Sequence, residues 1–107
     1  MTNQNIYENL PEAISEEMFD DLITGGDFRL ERILSKGQST PPGEWLEQET
    51  HEWVLLLKGR ATLLFAEGSE ILEMTAGDYV HIPAHTPHRV EWTDSEEATL
   101  WLALHYL

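Results

Sequence analysis

From Glu52 onward the chain is a succession of short β-prone segments: Trp53–Leu57, Ala61–Ala66, Ile71–Met74, Tyr79–Ile82, Arg89–Trp92 and Thr99–Tyr106. Their separators, Lys58-Gly59, Glu67-Gly68-Ser69, Ala76-Gly77-Asp78 and Thr93-Asp94-Ser95, are turn material at short, even intervals. Many short strands joined by tight turns predict an antiparallel sandwich or barrel. The polar run Thr93–Ala98 is expected to be a mobile loop.

Upstream the pattern differs. Ile14, Met18 and Leu22 recur at i, i+4 and i+8 with Phe19 and Ile23 beside them, Pro11 suits a first turn, and Gly25-Gly26 supply a left-handed stop. The spacing predicts one short N-terminal helix over Pro11–Ile23. Phe28–Leu34 then alternates as a half-buried strand, and Lys36-Gly37 with Pro41-Pro42-Gly43 makes a non-helical loop. Residues 1–27 are read as a helical segment packed on a barrel formed by 28–107. Val54–Leu57 and Leu100–Leu104 are apolar on both alternating faces, so their outward face needs a cover. Either the helix or a second copy of the chain supplies it, which predicts a homodimer.

With 107 residues, 41% of them hydrophobic and four tryptophans among them, the chain is expected to form one domain with a single modest core. Six basic against twenty acidic residues give a net charge of −14, which repels phosphate backbones and anionic membranes, so neither nucleic acid nor membrane is an expected partner. There is no cysteine, hence no disulfide framework and no thiolate cage. No basic n-region opens the chain and no 18-residue apolar run occurs, so a soluble, cytoplasmic protein is expected.

Three of the five histidines fall in Gly77-Asp78-Tyr79-Val80-His81-Ile82-Pro83-Ala84-His85-Thr86-Pro87-His88. Tyr79–Ile82 reads as a short strand, and Pro83 and Pro87 stiffen the loop that carries His85 and His88. Imidazole is the commonest metal ligand and the usual base near neutral pH, so histidines held on a stiff loop point to a site. His81 alternates with Val80 and Ile82 and is expected to point outward. His85 lies at the mouth, as candidate catalytic base. His105 reads first as a satisfied histidine of a buried strand, with the cavity within that strand's reach.

With these strands laid out, residues 28 to 106 resemble the cupin family of double-stranded β-helix (jelly-roll) barrels, so the expected fold is all-β with one short N-terminal helix. The family's second motif, Gly-x5-Pro-x-Gly-x2-His, is matched by Gly77, Pro83 and His88, with His85 in place of the last glycine. The first motif, Gly-x5-His-x-His-x3,4-Glu-x6-Gly, fits two registers. Anchoring on Glu52-x6-Gly59 puts the His-x-His pair on Leu46 and Gln48 or on Trp45 and Glu47; anchoring on Gly43 puts it on Glu49 and His51, and Leu55 or Leu56 replaces the glutamate. The first is preferred, because Gly59 sits where a turn needs it and Gln48 and Glu52 share strand parity, whereas His51 would need a bulge.

The resemblance implies a divalent ion, Zn, Mn, Fe or Ni, on the barrel's inner wall, with Glu52 and His88 as ligands and Gln48 or His51 as the third. It implies a small-molecule ligand and chemistry of the isomerase, dioxygenase or lyase kind. The alternative is a metal-free module whose cavity, shaped by one or two of Trp45, Trp53, Trp92 and Trp101, binds an apolar or carbohydrate ligand.

Overall fold

The chain turns sharply at Gly59, and much of the architecture follows from that corner. In the computed structural model, which describes residues 1–107, the strands are β1 (Met18–Thr24), β2 (Phe28–Ser35), β3 (His51–Lys58), β4 (Arg60–Phe65), β5 (Glu70–Thr75), β6 (Tyr79–Ile82), β7 (His88–Thr93) and β8 (Thr99–Tyr106). Only Gly59 separates β3 from β4, yet β3 lies in a five-stranded sheet ordered β1-β2-β8-β3-β6 and β4 in a three-stranded sheet ordered β5-β4-β7. Every ladder is antiparallel. Gly59 has φ +90°, and a Cβ there would stand 2.6 Å from Thr99 Cα and 2.7 Å from Ala98 O. Only glycine allows this chain to change sheets in one residue.

The predicted helix is not formed. Met18–Thr24 is instead an edge strand paired with β2, Phe19 opposite Ile33 and Asp20 opposite Arg32, and Gly25-Gly26 lies in the β1–β2 hairpin connection rather than ending a helix. The i, i+4 stripe and a period-2 alternation share residues here, and the open backbone edge of β2 decides between them. Residues 18–24 are therefore part of the sheet. The only helical element is a 3₁₀ turn at Glu67–Ser69, and no helix is long and apolar enough to cross a membrane. The stretch ahead of β1 is tied to β2's outward side: Arg32 Nη1 donates to the carbonyls of Ile6 and Glu8, at 3.0 and 2.8 Å.

Between the sheets lies the core: Val54, Leu56, Ala61, Leu63, Met74, Ile82, Trp101 and Ala103. On β3 the inward set is Glu52, Val54 and Leu56, all buried, while His51, Trp53, Leu55 and Leu57 face out and are half-buried. Thr93–Ala98 is tied down at Asp94, where the sequence led us to expect a mobile loop. Asp94 Oδ1 accepts from the backbone N–H of Glu96 at 2.8 Å and of Glu97 at 3.4 Å, and Oδ2 accepts from Arg60 at 3.0 Å. The Glu96 amide, with Arg60, holds this carboxyl below its ordinary range.

Leu56 has no accessible surface. Leu56→Ala is expected to lower the unfolding free energy by about 2–5 kcal/mol in urea titration, through lost burial and the cavity left behind; a loss under about 1 kcal/mol would mean the sheets close up around the gap.

Candidate functional site

Strand register brings the chemistry together. Arg29 of β2 is the antiparallel partner of His105 of β8, and His105 is the partner of Glu52 of β3, whose other neighbour is Ile82 of β6. Directly opposed residues share a face, so Arg29, His105, Glu52 and Ile82 form one row across the inner wall. Two positions along β2, Glu31 is on the same face and buried. The other sheet contributes His88 at the start of β7, held by a bridge to Leu46, which brings the loop carrying Gln48 against the row. A cavity of about 360 Å³ opens here, with Ile33, Val54, Leu63, Ile82, Val90 and Trp101 as its apolar lining and Glu31, Gln48, Glu52, His88 and His105 as its polar wall.

Glu52 is buried between two imidazoles. Its Oε1 lies 3.6 Å from His88 Nε2 and its Oε2 lies 3.7 Å from His105 Nε2. Both separations exceed hydrogen-bond reach, so the attraction is electrostatic rather than directional. His88 Nδ1 donates to the Thr86 carbonyl at 2.8 Å. A carbonyl can only accept, so Nδ1 carries the hydrogen, and in the neutral ring an Nε2 lone pair would face the Glu52 carboxylate. Burial of the ring pulls its pKa down, but Glu52 and the Thr86 carbonyl more than offset that, and the net pKa lies above the ordinary histidine value. His105 has a partner at each ring nitrogen: Nε2 donates to Glu31 Oε1 at 2.7 Å, and Nδ1, the acceptor of a neutral ring, lies 3.2 Å from the Gln48 side-chain amide, whose NH2 group can donate to it.

Gln48, Glu52 and His88 thus come together in the cavity. His51 and His85 do not. His51 has outward parity, with its Nδ1 accepting from the Ala84 N–H at 3.0 Å and its ring against His81 and Tyr106. His81 is also outside, its Nε2 2.6 Å from the Tyr106 hydroxyl. His85 is exposed, with φ +62°, and meets the site only through its backbone N–H, which donates to the Gln48 carbonyl at 2.8 Å. Sequence reasoning missed Glu31 and Arg29 and placed His105 second as a site residue. On β2 it is the charged parity that faces inward, so alternation alone pointed the wrong way; for His105 the shared parity with Trp101 and Ala103 was the available signal.

The wall offers donors of the kind a divalent ion takes, imidazole and carboxylate. Their arrangement does not fit one. No three His, Asp or Glu side chains converge as ligands of a single ion would. His105 Nε2 is engaged by Glu31 at 2.7 Å and the Gln48 amide by His105 Nδ1, which leaves Glu52 and His88 as the pair facing each other without a closer side-chain partner.

Residues 31–105 match the Cupin domain family. The chain belongs to the cupin family. Among solved structures, this cupin is similar to a "putative mannose-6-phosphate isomerase" from Ralstonia eutropha JMP134, with 37% identity over 99% of this chain and 98% of the other, at TM-score 0.94. It shares the fold of the protein TT1209 from Thermus thermophilus, at 16% identity over 99% and 97% of the two chains and TM-score 0.79. It also shares the fold of the polyketide cyclase RemF from Streptomyces resistomycificus, at 20% identity over 99% and 79% and TM-score 0.75. No curated protein matches the chain.

Because the folded pKa of His88 lies above its unfolded value of about 6.5, its charge stabilises the fold fully below that pH, and the contribution is lost as pH rises through the folded pKa. His88→Gln is therefore expected to cost more stability at about pH 5.5 than at about pH 8.5 in urea unfolding. Equal costs at both would show that Glu52 does not hold the proton on the ring.

Proposed function

We propose that this cupin binds a small organic molecule in its barrel and moves a proton on it with Glu52 and His88. The observation that carries the reading is their juxtaposition: a carboxylate and an imidazole, both buried, side by side on the wall of a cavity of about 360 Å³. His88 presents Nε2 to Glu52 and, when protonated there, is the acid; Glu52 is the base. His105 lies on the carboxylate's other side, oriented by Glu31 and Gln48. The apolar part of the lining lowers the local dielectric, which strengthens the attraction between the two groups.

The Ralstonia relative's name brings sugar-phosphate isomerisation forward as one reaction of this class, since it needs one group to take a proton from carbon and another to protonate oxygen. The lining favours a less charged, more apolar molecule: one guanidinium, from Arg29, stands among three carboxylates, from Glu17, Glu31 and Glu52. With purified protein and mannose 6-phosphate followed by NMR, no conversion is expected. Turnover that falls by about a hundredfold or more in Glu52→Gln and His88→Gln would instead make the sugar phosphate the substrate. A ligand bound equally well by the wild type and both variants would reduce the site to a binding module.

Two convergent donors support only weak metal binding. Tag-free protein incubated with Zn, Mn, Fe or Ni and then desalted is expected to retain well under one equivalent by elemental analysis. One full equivalent, lost in both Glu52→Ala and His88→Ala, would establish a metal centre in place of the acid–base pair.

The uncharged outward strip of Trp53, Leu55, Leu57, Leu102 and Leu104, half-buried in the single chain, supports a homodimer through this sheet face. Sedimentation velocity is expected to show a dimer that Leu104→Glu converts to monomer; a monomeric wild type would end this reading.

A further inference from the structure

Resting on the barrel-site reading, we infer that Arg29 is the anchor for a single carboxylate on the bound molecule, so that the ligand class is a small monocarboxylate with an apolar body. The cavity's three carboxylates each have a partner in the wall. Glu17 Oε2 accepts from the Ser35 hydroxyl at 2.7 Å, Glu31 accepts from His105 at 2.7 Å, and Glu52 lies between the two imidazoles. Arg29 is the only Lys or Arg in the lining and makes no hydrogen bond there. Its Nη2 is 3.7 Å from Glu31 Oε1 and its Nε is 3.8 Å from Asp21 Oδ1, both beyond hydrogen-bond reach, and its side chain is 48% exposed. A guanidinium presents a planar fork that matches a carboxylate with two parallel N–H···O bonds, and here the fork, engaged only by long ion pairs to Asp21 and Glu31, lines the cavity and is half exposed.

Register fixes what such a carboxylate would meet next. Arg29 and His105 are directly opposed across β2 and β8, with Cβ atoms about 5 Å apart on one face, and Glu52 is one strand further on. A carboxylate on Arg29 therefore sets the atoms a few bonds away beside the His105–Glu52–His88 group, while the rest of the molecule lies against Val54, Trp101 and Ile33. A cavity of about 360 Å³ holds on the order of ten non-hydrogen atoms, taking about 30 Å³ for each water-sized group. Three carboxylates around one cation repel a phosphate dianion more strongly than a monoanion, and the contact with Arg29 has to offset that repulsion.

The test uses phenylacetate and hexanoate, their amides phenylacetamide and hexanamide, and phenyl phosphate, titrated calorimetrically into the wild type, Arg29→Gln and Arg29→Lys. Both acids are expected to bind the wild type about tenfold to a hundredfold more tightly than their amides, with phenyl phosphate weaker than phenylacetate. In Arg29→Gln the acids should fall to the level of the amides, and in Arg29→Lys they should lie between. Amides that bind as well as the acids, or acid binding that survives in Arg29→Gln, would overturn the anchor and leave the barrel site standing. Tighter binding of phenyl phosphate than of phenylacetate would overturn the monocarboxylate class. If none of the five binds, the barrel-site reading falls and this inference with it.

Discussion

A carboxylate taken out of water needs compensation, and Glu52 has to find it inside a barrel. Its compensation is two imidazoles, one from each sheet: His105, its cross-strand neighbour within the larger sheet, and His88 from the smaller. Much of the polar wall follows from that need. His105 next to a charge must itself be oriented, and Glu31 and Gln48 do so from β2 and from the loop before β3. His88 must present Nε2 inward, and the Thr86 carbonyl, on the loop stiffened by two prolines, takes up its Nδ1 hydrogen. The network joins both sheets, so the site is complete only where the two sheets meet.

The same need explains why charged residues sit where alternation would place apolar ones. Glu31 is buried and Leu30, beside it in sequence, is on the outward face. Read alone, Phe28–Leu34 is a half-buried strand whose apolar parity should face the core. That parity is instead turned outward, where the strip on β3 and β8 is also apolar. Two apolar surfaces, one inside and one outside, make a one-sided reading of a strand unsafe. The N-terminal region failed for a related reason. The spacing of Ile14, Met18, Phe19, Leu22 and Ile23 satisfies a helix, but a strand gains backbone pairing with β2 from Arg29 to Leu34, and the helix had no comparable partner.

Local chemistry was sufficient for the strands from Glu52 to Tyr106, their turns and the need for glycine at position 59, whereas Glu52 and His88 were singled out through the resemblance to the cupin motifs. The strands and turns depend on steric preferences and period-2 patterning, which act within a few residues and can be read along the chain. Tertiary structure decided which histidines share the cavity, since that depends on register between strands distant in sequence. His105, 53 residues from Glu52 along the chain, is its direct neighbour, whereas His51, adjacent to Glu52, points to the opposite face. Only the assembled sheets settle such distances, because strand parity sends neighbours apart and backbone pairing brings remote residues together.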